Sequence, residues 1–191
     1  MWDARKDKNG IKVFAREIQG SKFPAYKASM TMEGPMLPFI NMFLDVPTYK
    51  NWMHGTTKSE LKQSIGPGEN IIYMVSGNPF PVADRDYCAH TTITQAEDLK
   101  VTMKWSLHDC PASKNAVRVQ KMSVELQLVP DIVKKKFNVE LEGHVEPGGS
   151  IPSWLVDMFV TDVPYNTFKN AKELSKHKKY YKPLQGIKDY I

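Results

Sequence analysis

Cysteine is scarce in this chain: Cys88 and Cys110 are the only two among 191 residues. Two are too few for a disulfide framework, and their spacing is not the Cys-x-x-Cys of a zinc or redox site. Long hydrophobic runs are missing as well. Charged and polar residues interrupt every apolar stretch well short of the ~18 residues that a membrane-spanning helix requires. Met1 to Gly10 contains no apolar leader core. As written, the chain is therefore expected in the cytoplasm, and a periplasmic or secreted location would follow only from a leader already removed. Neither charge sign dominates: 26 Lys plus Arg against 21 Asp plus Glu leave +5, with both signs interspersed, which gives no basis for a nucleic-acid partner. Internal repeats and low-complexity tracts are absent. So are Gly-x-x-x-x-Gly-Lys, His-Glu-x-x-His and Gly-x-Ser-x-Gly, so phosphate cradles, zincin sites and nucleophile elbows lack support. No enzyme and no cofactor is expected.

What is present suits a folded domain, with 41% apolar and 25% charged residues. Ile11 to Arg16 and Tyr26 to Met32 read as strands, the second with Tyr26, Ala28, Met30 and Met32 at period two. Pro35 to Asp45 carries Met36, Phe39, Ile40, Phe43 and Leu44 at helical spacing until Pro47. Lys58 to Ile65 and Ile71 to Ser76 flank the turn Gly66-Pro67-Gly68. Tyr87, Ala89, Thr91 and Ile93, then Val101, Met103, Trp105 and Leu107, place odd positions inward on two strands. Val117 and Val119 give way to Met122, Val124, Leu126 and Leu128, a parity change that calls for a bulge or bend near Gln120. Phe137, Val139, Leu141 and Val145 mark the last strand. From Ile151-Pro152 to Ser175 a helical pattern follows, with Ile151, Trp154, Leu155, Met158 and Phe159 on one face, then Tyr165 and Phe168, and with Pro164 expected to kink it. Strands first and a long helix last define an α+β fold with helices on one side of a curved antiparallel sheet.

Several residues invite chemical readings. Cys88, His90, His108 and Cys110 share the outward parity of one hairpin. Because both strands bury odd positions, paired numbers must sum to an even value, and a sum of 196 sets Cys88 opposite His108. Two ligands fall short of a zinc site, so no metal is expected. A Cys88 to Cys110 disulfide would need the neighbouring register at the expense of Val101, so free thiols are expected. Arg85, between Asp84 and Asp86, reads as a structural charge holding a loop through ion pairs rather than as a ligand contact. Met30, Met32, Met74, Met103, Met122 and Met158 suit either a soft tunnel lining or ordinary core. On periodicity alone, the stripe of the last helix fits a solid core equally well.

Specific motifs narrow the reading. Asn9-Gly10-Ile11-Lys12-Val13-Phe14-Ala15-Arg16, Tyr26-Lys27-Ala28, Leu44 to Trp52, Ile71-Ile72-Tyr73, Pro79-Phe80-Pro81-Val82-Ala83-Asp84-Arg85-Asp86-Tyr87 and Pro147-Gly148-Gly149-Ser150-Ile151-Pro152-Ser153-Trp154 occur in this order. Together they resemble the START domain, the steroidogenic-acute-regulatory-related lipid-transfer family, over nearly the whole chain. The resemblance implies a helix-grip fold in which a curved sheet and the C-terminal helix enclose a tunnel for one lipid-like molecule. Family members usually open with a helix, which is not apparent ahead of Gly10. Sterol-handling members pair an acid and a base on neighbouring strands, and the corresponding positions here are Ile72 and Thr91. That implies a more apolar ligand, or one whose polar end meets Thr91, Trp105 or Tyr165.

The expectation is thus one START-like domain over residues 1–175 and a basic, solvated tail over 176–191 with Lys176, Lys178, Lys179 and Lys182. The domain would bind, carry or sense a lipid or other hydrophobic molecule. Its tunnel would be lined by Ile72, Met74, Thr91, Met103, Trp105, Trp154, Leu155, Met158, Phe159 and Tyr165. The tail would offer a transient membrane contact. The alternative is cyclase- or hydrolase-type chemistry on the same scaffold.

Overall fold

A computed structural model describes residues 1–191. Ten strands form one sheet: β1 (Asp3–Lys8), β2 (Ile11–Arg16), β3 (Ala25–Glu33), β4 (Thr56–Gly66), β5 (Glu69–Ser76), β6 (Arg85–Gln95), β7 (Val101–His108), β8 (Val117–Arg118), β9 (Lys121–Asp131) and β10 (Lys136–Glu146). The spatial order is β1-β2-β3-β10-β9-β7-β6-β5-β4, and all pairs along this path are antiparallel. The helices are α1 (Leu37–Leu44), the single turn α2 (Tyr49–Trp52) and the long C-terminal α3 (Ser153–Leu174), with Pro164 inside it. This is the α+β helix-grip architecture that the order of elements implied. The residues ahead of Gly10 form β1, an edge strand missed in the sequence because its side chains are almost all polar and exposed.

The parity change at Gln120 marks the end of one strand and the start of another. β8 pairs in parallel with Arg85 and Asp86 of β6, where β7 has already ended at His108. The Cys88–His108 pairing holds, but the free thiols do not: Cys88 and Cys110 are joined in a disulfide with Cα atoms 6.1 Å apart. The register argument failed because it kept Cys110 in the ladder. Beyond His108 the chain leaves the sheet, and Cys110 reaches Cys88 without any change of register. A crosslink closing 22 residues constrains the unfolded chain, so reduction or Cys110→Ser is expected to lower stability by about 2–4 kcal/mol, read by urea unfolding with and without reductant.

The buried core is one continuous cluster. Toward one end of the sheet it holds Met30, Val101, Met103, Leu128, Phe137 and Val139 together with Met36, Phe39 and Ile40 at α1, the Phe39 and Phe137 rings lying 6.1 Å apart. The C-terminal residues complete this packing, which corrects the expectation of a solvated tail. The Asp189 carboxylate accepts from the Met36 and Leu37 backbone N–H groups, both at 3.0 Å, and so satisfies donors at the N-terminus of α1. Asn41 donates to the Tyr180 and Lys182 carbonyls, and Tyr180 and Tyr190 are buried. The lysines of this segment still face outward. The other half of the sheet is not filled in this way.

Candidate functional site

Over that second half, α3 spans the concave face and leaves a cavity of about 210 Å³. Inward positions of the strands form one wall: Ile72, Met74 and Ser76 of β5, Arg85 and Tyr87 of β6, Trp105 of β7, Met122, Val124 and Leu126 of β9, Leu141 and Val145 of β10, and Tyr26 of β3. The roof is the stripe Val156, Phe159, Val160, Val163 and Thr167 of α3, with Phe168 beside it. No carboxylate lines the cavity.

Of the residues expected there, Ile72, Met74, Trp105 and Phe159 are in the wall. The other six are elsewhere. Met103 belongs to the core toward α1, and Thr91 is buried with its hydroxyl on the Asn70 carbonyl. Leu155 is fully buried in protein, whereas Trp154 is 52% exposed, and Met158 is outside the wall. Tyr165 points to the β1–β2 turn, where its hydroxyl accepts from Asn9 Nδ2 at 2.8 Å and Lys6 Nζ sits 4.3 Å from its ring centroid. The start of α3 is apolar on more than one side, so the 3.6-residue period admitted neighbouring stripes. Trp154 drew the expected face toward solvent. Tyr26 and Tyr87, by contrast, were within reach of the sequence, since both occupy inward parity positions. Met53, His54 and Asn78 come from loops with no periodic signal.

One end of the cavity is organised by Arg85, which is 3% exposed. Its guanidinium donates to the carbonyls of Ala83, Pro147, Gly148 (2.9 Å) and Ser150. It therefore holds loops as expected, but through carbonyls instead of ion pairs. Burial pulls its pKa down from the ordinary arginine value, opposed by the charge of Asp84. Gly148 adopts φ +69°, and a Cβ there would lie 2.6 Å from the Arg118 carbonyl, so the Pro-Gly-Gly entry to α3 needs glycine sterically. The ion pair belongs to the next residue. Asp86, with no exposed surface, accepts from Arg118 Nη2 at 3.0 Å, Ser113 N at 2.8 Å and the Tyr73 hydroxyl at 3.2 Å.

Three tyrosines line the cavity beside the polar side chains of His54, Ser76, Asn78 and Thr167. Burial pushes the phenols of Tyr26, Tyr49 and Tyr87 upward, that of Tyr87 to about 12, and for Tyr26 and Tyr49 the neighbouring Tyr87 adds to the effect. All three stay protonated at neutral pH.

A curved sheet closed by a helix over an apolar, carboxylate-free cavity defines a domain that binds lipids or other hydrophobic molecules. The START domain model matches residues 1–180, and the chain belongs to the START family. An uncharacterized protein of Pseudomonas aeruginosa is 32% identical over 176 residues, covering 90% of this chain and 85% of that protein. The phosphatidylcholine transfer protein of Bos taurus is 24% identical over 166 residues, covering 82% of this chain and 75% of that one. Among solved structures, a STAR-related lipid transfer protein fragment from Xanthomonas axonopodis superposes with a TM-score of 0.84 at 29% identity, covering 92% of this chain and 99% of that chain.

Proposed function

We propose that this domain encloses one single-chain lipid, or a hydrophobic molecule of similar size, and carries it between membranes. The observation that carries the reading is the cavity beneath α3. Its volume is about 210 Å³, far more than a single buried water needs. That suits one chain better than the two of a phosphatidylcholine. Each methylene moved out of water is worth about 0.8 kcal/mol, so enclosure removes most of the cost of crossing the aqueous phase. Extraction of the purified protein with organic solvent and mass spectrometry of the extract tests this: a defined single-chain lipid near equal stoichiometry supports it, and a consistent two-chain phospholipid refutes the size argument.

Exchange with a bilayer favours the Arg85 end. The loop 77–84 and the 147–150 turn both converge on that guanidinium, and each carries an exposed aromatic nearby, Phe80 at 97% and Trp154 at 52%. Aromatic side chains of this kind settle at membrane interfaces. Of the lysine-rich terminal segment, Lys188 is at the opposite end of β6, where Gln95 exchanges hydrogen bonds with its backbone, about 33 Å from Arg85 at 3.3 Å per residue, and Lys179 is held by Asp45 beyond α1. Phe80→Glu with Trp154→Glu is expected to slow lipid transfer between vesicles at least tenfold while equilibrium binding is retained. Lys178→Gln with Lys182→Gln should leave transfer nearly unchanged, and the reverse pattern would assign docking to the tail.

The disulfide argues for an oxidising compartment rather than the cytoplasm, because cytosolic thiols are kept reduced. As for enzymatic chemistry, an aromatase/cyclase from Streptomyces has a related fold at 12% identity. The cavity here contains His54, Arg85 and three phenols but no carboxylate, so an enzymatic alternative would have to draw on His54 and a tyrosine as its acid and base.

A further inference from the structure

We propose that the hydroxyls of Tyr26 and Tyr87 form a subsite for the oxygen-bearing head of the ligand, the carboxylate or ester carbonyl of a fatty acyl chain. The proposal rests on the reading of the cavity as a lipid site.

The argument begins with the hydrogen bonds of the tyrosines. Tyr49 donates to the Phe43 carbonyl, Tyr73 and Tyr180 to the carboxylates of Asp86 and Asp45, and Tyr190 to the Gly34 carbonyl, while Tyr165 accepts from Asn9. Tyr181 is exposed. Tyr26 and Tyr87 are the remaining two. Neither hydroxyl has a protein partner, and both residues line the same cavity. Both residues are half-buried and their hydroxyls face open space instead of being sealed in protein, so a chain that fills the cavity and displaces water must supply their hydrogen bonds or leave them unmade; two such groups in one apolar cavity mark where a ligand atom is to be bound.

The backbone makes room for this arrangement. Tyr26 pairs with Gly143 of β10, and a Cβ at Gly143 would lie 2.5 Å from both the hydroxyl and the ring carbon that bears it. Gly143 thus lets the Tyr26 ring lie over the neighbouring strand, with its hydroxyl above Gly143 in the cavity wall. From the other side Tyr87 points inward two residues beyond Arg85. Both phenols remain protonated and present O–H donors. No carboxylate competes for them, and the buried Arg85 cation biases this end toward negative or acceptor groups. A quaternary ammonium head would gain nothing from the hydroxyls and would meet the like charge of Arg85.

The test uses two soluble amphiphiles with the same chain, dodecanoic acid and dodecyltrimethylammonium, titrated calorimetrically into the 191-residue protein and its Tyr26→Phe, Tyr87→Phe and doubly substituted variants. Phe keeps the ring, and the lost hydroxyls hold no protein partner, so the variants are expected to unfold at or slightly above the wild-type temperature. Dodecanoic acid should bind the wild type more tightly than the cation. Each single substitution should weaken the acid about tenfold, the worth of one hydrogen bond to a charged group, and leave the cation unchanged. If the acid binds wild type and double variant alike, or if the cation binds more tightly than the acid, the subsite is overturned and the lipid cavity stands. If neither amphiphile binds the wild type, the cavity reading fails with it.

Discussion

Phe159→Asp is expected to abolish lipid binding, by at least ~100-fold, while the protein still folds cooperatively. Phe159 is in the roof of the cavity, over Ile72, Met74 and Trp105. A carboxylate there can be hydrated when the cavity holds no lipid, but it must lose that water when a hydrocarbon chain enters. Desolvating an ion costs several kcal/mol, and each 1.4 kcal/mol is tenfold in affinity. Leu155→Asp, one turn earlier, belongs to a different class. Leu155 is fully buried against protein, so its replacement buries a charge in both liganded and empty states, and unfolding is expected rather than selective loss of binding. Lipid recovery and circular dichroism on the two variants separate these outcomes. Retention of lipid by folded Phe159→Asp would remove α3 from the site.

Asp86→Leu should cost about 3–5 kcal/mol, because it strands the Arg118 guanidinium and removes the acceptor for Ser113 N and the Tyr73 hydroxyl. For a chain of this size that is a fall in Tm of roughly 10 °C. The same segment, residues 110–118, holds Cys110 of the disulfide and β8. The pair is tested by a double-mutant cycle: Asp86→Leu with Arg118→Leu should lose clearly less than the two single losses together, since two apolar groups replace a charge pair without leaving either charge alone. Additive losses would mean that Asp86 and Arg118 stabilise the fold independently.

Much of this was legible in the sequence for a physical reason. Side chains alternate across a strand, so Tyr87, Ala89, Thr91 and Val101, Met103, Trp105 disclosed which face of β6 and β7 turns inward, and parity restricted their register to even sums, of which the structure has 196. The Pro-Gly-Gly turn disclosed the entry to α3, where the structure shows that a Cβ on Gly148 collides with Arg118. Alternation reports the inward face only, and is silent on whether protein or empty space lies above it. Met103 and Trp105 have the same parity, yet one is under α1 and the other faces the cavity.

Local sequence thus determined the strands other than β1 and the separate β8, the sheet face, the long terminal helix and the family. Tertiary structure decided the rest: which stripe of α3 roofs the cavity, that Cys110 leaves its ladder to reach Cys88, that Asp189 returns to cap α1, and that Tyr26 and Tyr87 are left without partners. Each of these depends on where segments distant in the chain come to rest against one another. Periodicity is a property of neighbours along the backbone, whereas a cavity is the space that remains once all the long-range contacts have been made.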